Sequence, residues 1–213
     1  MRPVRSIPHA RKAAAVAAII TVAAASPTTA TGGTAGGRSS HASVTGAGEF
    51  RLPYLDDADI RSFTFDAHAA PYSRPLPGVP TGLPTDAYGT VTVSHYSAER
   101  DVTYTAEGTV DCLVTAPGSA TVTAVIFKVS AGGPDWVGRR LGFSVHDAGG
   151  GKPGRASRDR VGFSWADGVN TTYTEEGGTE FSVGPCMAPA AFAPVTSGGY
   201  RVRHTDLPPW PTG

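Results

Sequence analysis

Apolar and polar residues alternate with a period of two along most of the chain, and no segment shows the 3.6-residue periodicity of an amphipathic helix. This pattern predicts an all-β fold. The predicted strands span residues 60–69, 89–97, 101–115, 120–130, 140–145, 160–165, 179–183 and 200–205. Gly or Pro in the gaps, as in Pro117-Gly118 and Gly132-Gly133-Pro134, predicts turns between antiparallel neighbours.

The strands and turns predict a single antiparallel domain over residues 59–206, which is long enough to bury a core. About eight strands of this kind can close into a small barrel or fold into a two-sheet sandwich, because both arrangements protect exposed sheet edges. The alternation is the same in either case. The sequence therefore leaves barrel and sandwich open.

A short phrase occurs twice, as Arg140-Leu-Gly-Phe-Ser-Val145 and as Arg160-Val-Gly-Phe-Ser-Trp165. Consecutive strands joined by a Gly-rich turn usually pair antiparallel, which lays their large apolar residues against one core. We therefore predict that the duplication records strand pairing and not two binding sites. Gly142 and Gly162 then lie on the outer face, where they permit either strong curvature or a groove for a ligand.

The first thirty residues differ from the rest in composition. Residues 1–30 begin with basic side chains and continue with an apolar run from Ala13 to Ala25, as secretory signal peptides do. As a helix this run spans roughly 20 Å, which is short of the roughly 30 Å of a bilayer core. We expect cleavage after Ala30, or alternatively after Ala25, and a secreted, extracellular protein with no membrane association after cleavage.

Two further segments flank the predicted domain. Residues 31–58 begin as a Gly, Ser, Thr and Ala-rich stretch with few large apolar groups, which predicts a flexible tether and a segment leading into the domain. Residues 207–213 form a Pro-rich tail, and its prolines lack the N–H donor that a strand ladder requires.

Charge and cysteine content narrow the functional classes. The leader carries four of the 18 basic residues and none of the 18 acidic ones, so the remaining chain is mildly acidic and a poor binder of nucleic acid. Cys112 and Cys186 are the only cysteines. In an exported chain we expect them to form one disulfide, which would contribute on the order of 4 kcal/mol by closing a loop of about 75 residues.

Several phrases resemble a group of small secreted actinobacterial proteins of uncharacterised function, some of which carry the label "repetin". The phrases are Phe63-Thr-Phe-Asp-Ala67, Gly108-Thr-Val-Asp-Cys-Leu-Val114, Ala120-Thr-Val122, Gly142-Phe-Ser-Val-His-Asp147 and Asp159-Arg-Val-Gly-Phe-Ser164. The resemblance covers about residues 60–205 and rests on structural motifs. It implies an exported β domain and carries over no catalytic residue.

The sequence offers few candidate catalytic, metal-binding or ligand-binding residues. His68, His95 and His146 lie on predicted strands without the spacing of a metal site, so no metal or cofactor and no catalytic residue is predicted. The connection between the two repeated phrases carries Lys152, Arg155 and Arg158, a basic tip that is either a solvated loop or a contact for an anionic polymer such as a cell-wall glycan. We count these six residues as possible ligand contacts.

Three functions remain open, in order of preference. The first is a secreted, monomeric, non-catalytic β domain that binds a ligand or associates with the cell envelope. The second is a small barrel that carries an apolar ligand, for which a pocket lined by aromatic residues would be the signature. The third is a secreted enzyme that uses the strand histidines, which would have to converge with carboxylates.

Overall fold

The computed structural model describes residues 41–149, 158–165 and 169–212, and these residues form ten β-strands. The strands are β1 (Ser43–Phe50), β2 (Ile60–Ala69), β3 (Ala87–Ser97), β4 (Val102–Ala116), β5 (Ser119–Val129), β6 (Arg140–His146), β7 (Arg160–Phe163), β8 (Thr171–Thr174), β9 (Gly177–Glu180) and β10 (Ala193–Arg203). The predicted signal peptide, residues 1–30, lies outside the described residues.

Eight of these strands close into an antiparallel barrel in the order β1-β10-β7-β6-β5-β4-β3-β2, and β2 returns to pair with β1. The all-β prediction is confirmed, and of the two open architectures the barrel is the one formed. One end of the barrel gathers the ends of β1, β3, β5 and β7, and the pocket described below lies at that end.

The repeated phrase forms two neighbouring strands, as predicted. β6 and β7 pair antiparallel, with Phe143 opposite Phe163 and Val145 opposite Val161. All four side chains are buried in the barrel interior. The duplication therefore supplies two matched walls of one core.

The tether prediction is wrong for residues 43–50, because they form β1, and the domain begins at Ser43 and not at residue 59. β1 has few large apolar groups since two of its inward positions are Gly46 and Gly48. The ring of Tyr200 fills the space beside Gly48, where an added Cβ would lie 2.8 Å from the tyrosine oxygen. A glycine-rich segment thus joins the core by accommodating a large neighbour.

Two late strands differ from their predicted positions. The strand predicted at 179–183 is instead the second half of a hairpin, β8 with β9, that forms a separate two-stranded sheet. The last barrel strand begins seven residues earlier than predicted, at Ala193. The count of eight barrel strands matches the expectation, although β1 replaces the 179–183 strand in the barrel.

The two cysteines form the predicted disulfide, with 5.3 Å between the Cα atoms of Cys112 and Cys186. A register shift between Val110 and Cys112 turns the Cys112 side chain away from the interior and lets Leu113 take the inward position. Val110 and Cys112, two residues apart, therefore do not share a face of the strand.

The disulfide holds a segment without regular structure, residues 183–192, against the outside of the barrel; we call this segment the strap. A Cβ on Gly142 would overlap the carbonyl oxygen of Met187, and one on Gly162 would overlap that of Ala190. The two glycines therefore serve neither curvature alone nor a groove for a free ligand. They allow the backbone of the strap to lie directly on the sheet.

Aromatic side chains fill the middle of the barrel. The ring centroid of Phe63 lies 4.9 Å from that of Phe50, 5.3 Å from Phe143 and 5.4 Å from Phe163. These are edge-on or tilted contacts at separations that favour aromatic pairs. The interior is thus packed, and space for a ligand is left toward an end of the barrel.

Candidate functional site

A pocket of about 380 Å³ opens at the end of the barrel where β2 and β4 begin. Its floor is the top of the core, formed by Phe63 and Phe163, with Val93 and Ala106 beside them. All four residues are buried. The mouth of a barrel is a common place for small-molecule sites, and the volume falls in the range of such sites. We call this cavity the barrel-end pocket.

Two tryptophans form one wall of the barrel-end pocket. Trp165 follows β7 directly, and its ring lies 4.7 Å from that of Phe163 and 5.1 Å from that of Trp136. Trp136 is held in the turn after Gly133 and Pro134 by hydrogen bonds of its own backbone N–H and C=O. Both indole rings are only partly buried, so they present apolar surface to the cavity.

A second wall comes from the turn after β1. Leu52 is buried, whereas Tyr54 and Leu55 remain exposed at the mouth of the pocket. The ring of Tyr54 lies 6.4 Å from that of Phe192, at the end of the strap. The pocket is therefore apolar on two sides and at its floor.

The rim of the pocket is charged. Arg61 donates to both carboxylate oxygens of Asp57, at 3.2 and 2.8 Å, and His95 lies 2.7 Å from Asp59 through Nε2. The hydrogen bond from Arg61 lowers the pKa of Asp57, while the backbone N–H of Ala98, followed by His95, lowers that of Asp59. Both carboxyl groups are therefore ionised at neutral pH.

Arg100 and Tyr104 lie on the third side of the rim. Arg100 belongs to the turn between β3 and β4, and a hydrogen bond with Tyr104 raises the pKa of its guanidinium. Among the described residues Arg100 makes no ion pair within 4.0 Å. The rim thus offers one cation that is not already committed to a carboxylate.

Of the three predicted strand histidines, only His95 reaches the barrel-end pocket. His68 lies at the other end of β2, roughly 23 Å away at about 3.3 Å per residue, where it contacts Asp66 at 2.7 Å and stacks on Tyr88. His146 lies on β6, with Ser119 Oγ at 3.4 Å. The structure does not bring the three histidines together.

The basic tip is only partly described. Lys152 and Arg155 lie outside the described residues, and Arg158 is exposed at the start of the next described segment. The cell-wall polymer contact expected there stays a prediction.

The described part of the chain also lacks two other kinds of feature. No cluster of three or more His, Cys, Asp or Glu side chains could hold a metal ion there. Over the same residues, no helix has the length and apolarity that crossing a bilayer would require.

Comparison with known proteins gives no relative. No protein-family model matches the chain, and no curated protein or solved structure shows significant similarity to it. The resemblance to small secreted actinobacterial proteins accordingly stays a prediction.

Sequence reasoning found one rim residue, His95, and missed the residues that give the pocket its character. Trp136 and Arg100 lie in turns, where strand alternation carries no information about which way a side chain points. The usable signal in the sequence was the position of the tryptophans. Two of the three in the chain lie near this end of the barrel: Trp136 follows a Gly-Pro turn, and Trp165 lies just after the end of β7.

Proposed function

We propose that this chain is exported and that it binds a small apolar ligand in the barrel-end pocket, as a monomeric and non-catalytic binding protein. The observation that carries the proposal is the aromatic lining of a cavity of about 380 Å³ at the mouth of a closed barrel. This arrangement corresponds to the carrier hypothesis, which now takes precedence over a general envelope-associated module.

The geometry of the pocket supports ligand binding through burial of apolar surface. A planar molecule resting on Phe63 and Phe163 would also contact Trp136 and Trp165. Each ring contact removes more of the ligand's apolar surface from water and so makes the binding free energy more favourable. The hydrogen-bonded pairs at the rim, Asp57 with Arg61 among them, fix the mouth of the pocket without filling it.

Two features support the proposed extracellular location. The disulfide between Cys112 and Cys186 suggests an oxidising, extracellular setting, because cytosolic thiols are kept reduced. The composition of residues 1–30 predicts a cleaved leader. Native mass spectrometry of the protein taken from its culture medium tests leader cleavage, the monomeric state and any retained ligand in one measurement.

Titration with the neutral fluorophore N-phenyl-1-naphthylamine tests the binding function. We expect its emission to rise on binding to the oxidised protein, and Trp136→Ala to weaken binding about tenfold by removing one wall of the pocket. Trp210→Ala is the matched control. Trp210 is an exposed tryptophan in the C-terminal tail, where it packs on Tyr72 and lies outside the pocket.

The two variants should differ clearly in this titration. Equal binding by the Trp136 and Trp210 variants, or no rise in emission with the wild-type protein, would refute ligand binding in the barrel-end pocket.

A further inference from the structure

We propose that the ligand of the barrel-end pocket is a planar aromatic carboxylate, with its ring against the two tryptophans and its carboxylate at Arg100 and Tyr104. This inference rests on the proposed function and names the chemical class that the pocket selects.

The shape of the cavity favours a ring over a long acyl chain. Phe63 and Phe163 close the floor and are themselves nearly inaccessible, with 2% and 3% of their surface exposed. Below them Phe50 and Phe143 fill the barrel, so no tunnel continues into the interior. A flexible chain longer than the cavity would have to leave part of its length in water, whereas a compact bicyclic ring would not.

The aromatic walls of the pocket also favour a ring over an acyl chain. Trp136 and Trp165 meet at an interplanar angle of 61°, so a third ring can lie edge-on to one indole while stacking on the other. Aromatic pairs in such arrangements gain energy beyond the area that they bury. An aliphatic ligand would receive only the burial contribution.

The charges at the rim decide the polar group. The two carboxylates on the Arg61 and His95 side of the rim are already satisfied, because Asp57 accepts from Arg61 and Asp59 accepts from His95 and the amide of Ala98. A cationic ligand would have to break one of these pairs. An anionic ligand meets a cation, Arg100, that no carboxylate within 4.0 Å occupies in the described part of the chain.

Arg100 and Tyr104 suit a carboxylate in particular. Both residues line the pocket, so a guanidinium and a hydroxyl group lie at the same side of the rim. The planar guanidinium can donate two parallel hydrogen bonds to a carboxylate, and the tyrosine hydroxyl can add a third. Tyr104 occupies an inward phase of β4 together with Ala106, so these donors face the pocket and not the outer surface of the barrel.

Isothermal titration calorimetry of the oxidised protein with three probes tests this class. The probes are 2-naphthoate, its neutral analogue 2-naphthalenemethanol, and decanoate. We expect 2-naphthoate to bind about tenfold more tightly than the alcohol, and more tightly than decanoate, at low ionic strength. Added salt should reduce the preference for naphthoate over the alcohol, because the pairing site is exposed.

Arg100→Gln should lower the naphthoate-to-alcohol affinity ratio to about one. Arg201→Gln, which removes an exposed arginine on β10 outside the pocket, should leave that ratio as in the wild type and so controls for net charge.

The outcomes separate this inference from the proposed function. Equal binding of naphthoate and alcohol to the wild-type protein would overturn the carboxylate while leaving the apolar pocket supported. Tighter binding of decanoate would overturn the aromatic class. Failure of all three probes to bind would overturn both the inference and the proposed function.

Discussion

Tyr200 is the residue on which closure of the barrel between β1 and β10 depends. Its ring packs on Phe65 at 5.4 Å, and its hydroxyl lies 3.3 Å from the carbonyl oxygens of Gly48 and Phe63, to which it can donate. Burial, followed by the nearby Asp159 carboxylate, raises the pKa of the phenol well above its ordinary value. The folded protein therefore keeps this tyrosine neutral.

Tyr200→Phe should lower the free energy of unfolding by about 1 kcal/mol at pH 7, because it removes the buried hydroxyl and keeps the ring. Above about pH 10 the unfolded tyrosine ionises while the folded one does not, so the wild type loses stability that the variant retains. The difference between them should shrink by roughly 1 kcal/mol by pH 10.5.

Urea unfolding at both pH values measures this difference. Tyr88→Phe, at an exposed tyrosine on β3, serves as the control. A difference between wild type and Tyr200→Phe that stays constant with pH would contradict the assigned burial.

At the scale of elements, the close contact between the strap and the glycines beneath it, Gly142 and Gly162, leads to a stability prediction. Gly142→Ala places a methyl group against the backbone carbonyl of Met187, which the disulfide holds in place. We expect it to cost roughly 2 kcal/mol of unfolding free energy, as overpacking does. Gly108→Ala is the matched control on β4, where the methyl group meets the flexible tip of Ile126 at 3.0 Å and the Ala124 Cβ and Val125 carbonyl oxygen at 3.2 Å, without the overlap found at Gly142, and should cost less than Gly142→Ala.

Equilibrium unfolding in urea compares the two variants directly. Equal losses would show that the strap yields easily, and the close approach of its backbone to β6 would then have no energetic weight.

Most of the strands could be predicted from the sequence, because β2 to β7 alternate strongly and are bounded by turn residues. β1 could not, since Gly46 and Gly48 occupy inward positions and their neighbours are distant in sequence: the ring of Tyr200 lies beside Gly48 and the carbonyl of Gly199 beside Gly46. Local alternation also fails at the register shift before Cys112, where one extra residue reverses the faces.

The candidate pocket was even less accessible to sequence reasoning. Trp136 and Arg100 come from turns, and only closure of the barrel brings them to the same rim. His95 was identified as a possible contact, but its pairing with Asp59, which precedes β2, depends on the same closure.

At the scale of the whole molecule, the disulfide joins β4 to the strap, whose backbone lies on β6 at Gly142 and on β7 at Gly162. Replacing both Cys112 and Cys186 by Ala should lower the unfolding free energy by about 4 kcal/mol. The hydrogen bonds from Arg140 to the carbonyl of Val183 and from Arg160 to the carbonyl of Ala191 remain in this variant. We expect the barrel itself to persist.

Hydrogen exchange and limited proteolysis should then show faster exchange and first cleavage within residues 183–192 of the double variant. Wild-type protein treated with a reductant should behave in the same way. First cleavage in the barrel strands would contradict the picture of a strap fastened onto a pre-formed barrel.

The pairing of β1 with β10 has a consequence for how the chain is made. The first and last strands of the barrel are neighbours, with Ser43 opposite Arg203, so the ring of hydrogen bonds cannot be completed until the final segment has been synthesised. A polypeptide passing through an export channel from its N-terminus would keep an unpaired edge throughout its passage. If the chain is exported as proposed above, its barrel would close only after β10 has emerged and paired with β1.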